Sequence, residues 1–177
     1  MLAVSSFAKK REQPLIYFDQ SEILYIQVME NLGINDVGRD DRFRDFKKTF
    51  EKVLKEVDFP MKFEISRTGF FRLRAGEPRL DLTIIKWGDN GFSQIEARFF
   101  ASLKRGDIRN KLGVFSYRGP AGIGSVSQAT RAYNNALSKA LMKMMSELNS
   151  RISIMEELVE EEIEVNSELS DGFIIGE

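Results

Sequence analysis

The residue pattern predicts an α+β fold, a two-layer sandwich in the order β-α-β-β-β-β-α. A mostly antiparallel sheet carries two helices on one face. Three observations predict it. Ile95, Ala97, Phe99, Ala101 and Leu103 alternate with Gln94, Glu96, Arg98, Phe100 and Ser102. A period of two puts each set on one side of a pleated sheet. Phe43, Phe46, Phe50, Val53, Leu54 and Val57 recur at offsets of three and four, the stripe of a helix over about 41–57. Ala129, Tyr133, Ala136, Leu137, Ala140, Leu141, Met144, Leu148 and Ile152 form a second stripe, whose alanines let the helix axis approach the sheet closely.

In chain order, residues 1–20 read as an irregular segment broken by Pro14. The first good strand is 23–30. Leu24, Ile26 and Val28 share one face and Ile23, Tyr25 and Met29 the other, so it reads as internal or covered on both sides. Gly33, Asn35, Asp36 and Gly38 mark a loop, and Asp40 or Asp41 is placed to cap the first helix. Asp58-Phe59-Pro60 ends that helix, because proline disfavours helix at the residue before it. A strand over 62–73, interrupted at Gly69, precedes the turn at Gly76-Glu77-Pro78. Strands from Leu80, from Gln94 and from about Asp107 to Tyr117 form a meander. It turns at Gly88-Asp89-Asn90-Gly91 and Lys104-Arg105-Gly106-Asp107, where Gly and Asn tolerate positive φ. In the last strand Ile108, Leu112 and Val114 are set against Lys111, Gly113, Phe115 and Tyr117. A link at 118–124 leads to Ser125 or Ser127 as cap of the second helix. The domain division is thus 1–20 irregular, 21–152 one α+β domain and 153–177 an acidic tail.

Composition narrows the chemistry. The 177 residues include no cysteine and no histidine. Disulfides, thiolate zinc sites, the commonest general base and the commonest metal ligand are therefore excluded. Residues 156–177 carry nine acidic groups and no basic one, so residues 1–155 hold 26 basic against 18 acidic groups. A basic body with an acidic tail fits a nucleic-acid or anionic-surface binder with an autoinhibitory tail; the plainer reading is that both are solvated. No apolar run approaches the roughly 20 residues that span a membrane. Residues 1–8 are short and apolar, with Ser6 and Ala8 at small-x-small spacing before Lys9, Lys10 and Arg11. They read as the remnant of an export signal or as an irregular tail.

No motif carries reaction chemistry. Gly119-Pro-Ala-Gly122-Ile-Gly124-Ser125 lacks both the Gly-Lys-Ser/Thr of a phosphate loop and the third glycine of a dinucleotide fingerprint, and reads as a connector. Asp36, Asp40 and Asp41 read as loop and cap residues rather than paired acids. Glu156, Glu157, Glu160, Glu161, Glu162 and Glu164 have helical spacing, not that of a calcium loop. Arg67, Arg72, Arg74 and Arg79 lie near Phe70 and Phe71. Arg98, Lys104, Arg105, Arg109, Lys111 and Arg118 lie near Phe99, Phe100, Phe115 and Tyr117. Aromatics flanked by arginine on a sheet can stack bases and hold phosphates. Charges that simply face water explain the same pattern. The prediction is no catalytic, cofactor-binding or metal residue, and no cofactor.

The strand at 23–30, the helix after a Gly/Asp loop, the meander and the terminal helix Ala132-Tyr-Asn-Asn-Ala-Leu-Ser-Lys-Ala-Leu141 together resemble the YajG-like small envelope lipoproteins and neighbouring uncharacterised envelope families. The resemblance covers about 23–148, and the lipobox cysteine of such proteins is absent from this sequence. It implies a non-enzymatic bacterial envelope protein, periplasmic or outer-membrane-associated. The prediction is that the chain acts by contact with another envelope protein or a second copy of itself, docking through an exposed sheet edge or the acidic tail, with no small-molecule substrate and no transmembrane span. The alternative is a nucleic-acid-binding module using the basic strands at 67–118, with the acidic tail regulating it, in which case the protein is cytoplasmic.

Overall fold

The structure is a computed structural model and describes residues 15–30, 39–67, 76–90, 93–121 and 125–155. The elements are β1 (Ile16–Asp19), β2 (Ile23–Glu30), α1 (Arg39–Glu56), β3 (Lys62–Arg67), β4 (Arg79–Asp89), β5 (Gln94–Arg105), β6 (Ile108–Pro120), α2 (Val126–Asn149) and β7 (Ile152–Met155). Five strands form one sheet in the order β3-β2-β4-β5-β6. The two long ladders, β4–β5 and β5–β6, are antiparallel as the meander requires. Internal β2 instead runs parallel to both β3 and β4. The helix between β2 and β3 carries the chain back to the starting end, so those two strands must run the same way.

Alternation puts Leu24, Ile26 and Val28, then Leu80, Leu82 and Ile84, then Ile95, Ala97, Phe99, Ala101 and Leu103 on one buried face. Both helices lie on that face and touch each other. From α1 come Phe46, Phe50, Val53 and Leu54; from α2 come Ala136, Leu137, Ala140, Leu141, Met144, Met145 and Leu148. Full burial of each large side chain contributes roughly 1.5–3 kcal/mol. Helix α1 ends where Asp58 takes a positive φ of 47° and the Phe59 amide bonds Leu54 O at 2.9 Å. Aspartate tolerates that left-handed conformation, so the stop comes two residues before Pro60. At α2, Ser125 is the cap by backbone, but its hydroxyl contacts Ser127 Oγ at 2.8 Å instead of a helix amide.

Two bulges correct the simple alternation. Between Ile84 and Lys86 the register shifts, so Lys86 pairs with Arg98 and Trp87 with Ala97 on the helix side. Trp87 then meets Phe46 edge-on at 6.3 Å and donates Nε1–H to Tyr133 O at 3.1 Å. Between Ala101 and Ser102 the register shifts again, and Gly113 takes φ 118° beside it. This bulge overturns the expected faces of the last strand. Leu112 turns in, Val114 lies 59% exposed, and Phe115 and Tyr117 pack on the core.

Two short strands lie where none is expected. β1 and β7 pair in parallel as a separate two-stranded sheet, Ile16 with Ile152 and Phe18 with Ile154. Ile152 therefore belongs to a strand and not to the α2 stripe. The Asp36 loop, the Arg72, Arg74, Phe70 and Phe71 cluster, Gly122–Gly124 and the acidic residues from Glu156 onward lie outside the described residues.

Trp87→Phe keeps the edge contact with Phe46 but removes the indole hydrogen bond to the Tyr133 carbonyl. It should cost about 1 kcal/mol in urea denaturation followed by circular dichroism. A neutral result would mean that the indole hydrogen bond does not tie β4 to α2.

Candidate functional site: the uncovered face of the sheet

The helices cover one side of the five-stranded sheet, and the other side holds the charge. Cross-strand partners share a face, so the registers place the outer side chains row by row. One row runs Arg109, Lys104, Arg79, Tyr25 and Glu64; the next runs Lys111, Ser102, Asp81, Gln27 and Ser66. The third is apolar at three places, with Val114, Phe100, Thr83 and Met29. Beyond it come Ser116, Arg98 and Lys86, then Arg118, Glu96 and Gly88. Lys62 stands opposite Ile23 at the β3 edge. Among the described residues the face thus presents eight cationic side chains (Lys62, Arg79, Lys86, Arg98, Lys104, Arg109, Lys111 and Arg118) against three carboxylates (Glu64, Asp81 and Glu96).

Two carboxylates organise this field. Asp81 accepts a hydrogen bond from Arg79 Nη2 at 3.4 Å and is ion-paired with Arg79, whose Nε lies 2.9 Å away, and with Lys104. Glu96, only 5% exposed, is flanked by Arg98 at 3.5 Å and Arg118 at 3.4 Å. Each anion is outnumbered by its cations, so a net positive potential is left over. Arg109 and Lys111 are exposed and point that surplus at solvent. Between them Ser102 is 1% exposed, and its hydroxyl has no hydrogen-bond partner among the described residues. It lines a shallow depression of about 260 Å³ together with Met29, Arg79, Asp81, Phe100, Lys104 and Arg109. That volume is small for a cofactor, since small-molecule sites usually run from about 300 to 1,000 Å³. A depression of about 350 Å³ between α1, α2 and the end of β4 is lined by Arg42, Trp87 and Tyr133. Two of its polar side chains are already engaged: Arg42 with Glu30 at 3.4 Å, Trp87 with Tyr133 O.

Of the arginines and lysines singled out in the sequence, Arg79, Arg98, Lys104, Arg109, Lys111 and Arg118 come together on the outer face. Two go elsewhere. Arg67 lies on the helix side, 4.8 Å over the Phe43 ring. Arg105 turns to the β1 corner, where it pairs with Glu22 at 2.7 Å. The Ser21 amide, then its hydroxyl, and more weakly Arg105 hold the neighbouring Asp19 carboxyl below its ordinary value. The aromatics split unevenly, because Phe99, Phe115 and Tyr117 belong to the helix side. Only Phe100 and Tyr25 face outward among the described residues. The role of Lys86 was hidden by the bulge before it. Glu96 and Ser102 were visible only as the parity opposite Phe99 and Ala101. β2 is internal as expected, yet it is not covered on both sides: Ile23 is 37% and Met29 48% exposed. Among the described residues no group of three or more His, Cys, Asp or Glu could hold a metal ion, and no helix is long and apolar enough to cross a membrane.

No family model matches the chain, and no curated protein matches it. Solved structures do. An uncharacterised protein aligns with TM-score 0.52 at 9% identity, over 77% of this chain and 99% of that one. A PelC dodecamer from Paraburkholderia phytofirmans aligns with TM-score 0.46 at 10% identity, over 75% and 93%. A minor lipoprotein from Acinetobacter baumannii aligns with TM-score 0.40 at 9% identity, over 73% and 93%. Structurally similar chains thus include uncharacterised bacterial proteins and bacterial lipoproteins. At these identities the first likeness establishes the fold and nothing more.

Proposed function

We propose that the chain is a non-enzymatic docking protein of the bacterial cell envelope that takes an acidic protein surface onto the uncovered face of its sheet. The carrying observation is that face itself: among the described residues, eight cations against three carboxylates, with Met29, Phe100 and Val114 in a row across the middle. A protein interface has this make-up, an apolar strip ringed by charge. Complementary potential would speed encounter and set the register of the partner. The envelope setting is supported by the resemblance of residues 23–148 to small envelope lipoproteins. Nucleic acid is the weaker reading, because base stacking needs aromatics and among the described residues this face offers two, Phe100 and Tyr25.

The test is binding of an acidic peptide, polyglutamate, measured against a single-stranded oligonucleotide at stepped salt. Polyglutamate should bind with an affinity that falls as salt rises. The triple substitution Lys104→Glu, Arg109→Glu and Lys111→Glu should weaken it at least about tenfold. Retention of the oligonucleotide with no retention of polyglutamate would sink the docking reading in favour of nucleic acid. Fractionation of cells expressing the chain should find it with the envelope; recovery in the cytosol alone would remove that part.

A further inference from the structure

Residues 156–177 hold nine carboxylates and no cation, and six of the nine fall between Glu156 and Glu164. Where that stretch leaves the fold is well defined. In β7, Met155 is registered with Asp19 of β1. The Asp19 amide bonds Glu22 Oε2 at 2.9 Å, and Glu22 is paired with Arg105 at 2.7 Å. One residue back along β5 is Lys104, in the first basic row with Arg79 and Arg109. The acidic stretch therefore begins at the end of the sheet where the cation surplus is greatest.

We infer that residues 156–177 dock in cis across the basic outer face and compete there with the acidic partner, an inference that rests on the reading of that face as a docking surface. Length allows it. Nine extended residues span about 30 Å, close to the roughly 40 Å of a twelve-residue strand such as β5. Charge requires little more, since six carboxylates exceed the surplus of five positive charges left by eight cations and three anions. A short tether also holds the segment at an effective concentration of about a millimolar. An external acidic partner must outcompete that. The tail then acts as a threshold that screens weak polyanions from the face.

Zero-length carbodiimide cross-linking of the full chain at low salt tests the placement. Amide bonds should form between Lys111 or Lys104 and carboxylates of 156–164, and disappear at about 0.5 M salt. Mixing heavy- and light-isotope chains separates cis from trans: products between chains only would overturn the inference. So would an equal yield of cross-links to Lys48 and Lys52 of α1. In the full chain, replacing Glu156, Glu157, Glu160, Glu161, Glu162 and Glu164 by Gln should raise polyglutamate affinity about tenfold; unchanged affinity, with binding intact, overturns the competition. Cross-links in cis with no polyglutamate binding by either protein would confirm the tail's seat and refute the docking role of the face.

Discussion

Phe99→Ala is expected to destabilise the fold by about 3–5 kcal/mol, the usual cost of emptying a buried aromatic site. Phe99 is 1% exposed, pairs across strands with Ile84 and Phe115, and meets the Phe115 ring at 5.9 Å. Its neighbours along β5 on the same face are Ala97 and Ala101, and α2 contributes Ala136 and Ala140. Small residues let α2 approach the sheet, and they have no side chain to swing into the hole. The cavity should therefore stay open, which puts the loss toward the upper part of the range. Out of a total stability of about 5–15 kcal/mol this is a large share. Phe100→Ala is the control. One residue along, Phe100 faces outward opposite Thr83 and Val114 and is only partly buried. Equilibrium urea denaturation should show it costing no more than about 1 kcal/mol. If Phe100→Ala proved the more damaging of the two, the faces of β5 would be reversed, and with them the docking surface.

That pair of neighbours also shows what could be read from the residues alone. Phe99 and Phe100 are chemically identical, and only parity within the Ile95–Leu103 run separates them. Parity places Phe99 inward and sets Glu96, Arg98 and Ser102 on the opposite side. It failed where the backbone adds a residue. At Ile85 and Leu112 a bulge shifts the register by one. Trp87, Phe115 and Tyr117 thus pack inward although strict alternation sends them out. Gly113 was the available sign of the second bulge, since its φ of 118° suits glycine. Parallel pairing around β2 follows from α1 as a crossover, but which strand sits beside which is set by long-range contacts that no local pattern encodes. β1 and β7 escaped notice because each has four residues and their partners are more than 130 positions apart. Ile16-Tyr17-Phe18 does alternate, with Tyr17 54% exposed between two buried neighbours. Nothing nearby marks Ile152-Ser153-Ile154 as its mate.

Arg105→Ala should expose how that small sheet is held. The guanidinium makes a fork to Glu22, at 2.8 Å to Oε2 and 2.7 Å to Oε1, also donates to Tyr17 O, and sits 5.6 Å from the centre of the Phe18 ring. One side chain of β5 thereby ties down the strand that carries Phe18, which is fully buried. Paired hydrogen bonds to a charged partner contribute about 1.5–3 kcal/mol. Arg105 is 31% and Glu22 26% exposed, so solvent screening pulls the expected loss to about 2 kcal/mol. Arg105→Lys should recover the smaller part, because an ammonium cannot reproduce the two-pronged geometry. A double-mutant cycle with Glu22→Gln isolates the pair from the Tyr17 and Phe18 contacts. Neutral pH is the right condition. A carboxylate with a depressed pKa, as at Asp19, contributes its stability above the unfolded value near about 4 and loses it as pH falls through the folded value. The loss should be local before it is global. Hydrogen exchange at the Ile16 amide, which bonds Arg151 O at 3.0 Å, should quicken far more than at the β5 amides. Freed β1 would also release β7 and so move the point from which residues 156–177 depart. Cross-linking of that stretch to Lys111 should then fall in Arg105→Ala at unchanged salt. Exchange at Ile16 that keeps its parent rate would mean that the corner is secured by Ile16 and Phe18 in the core, with the arginine contributing little.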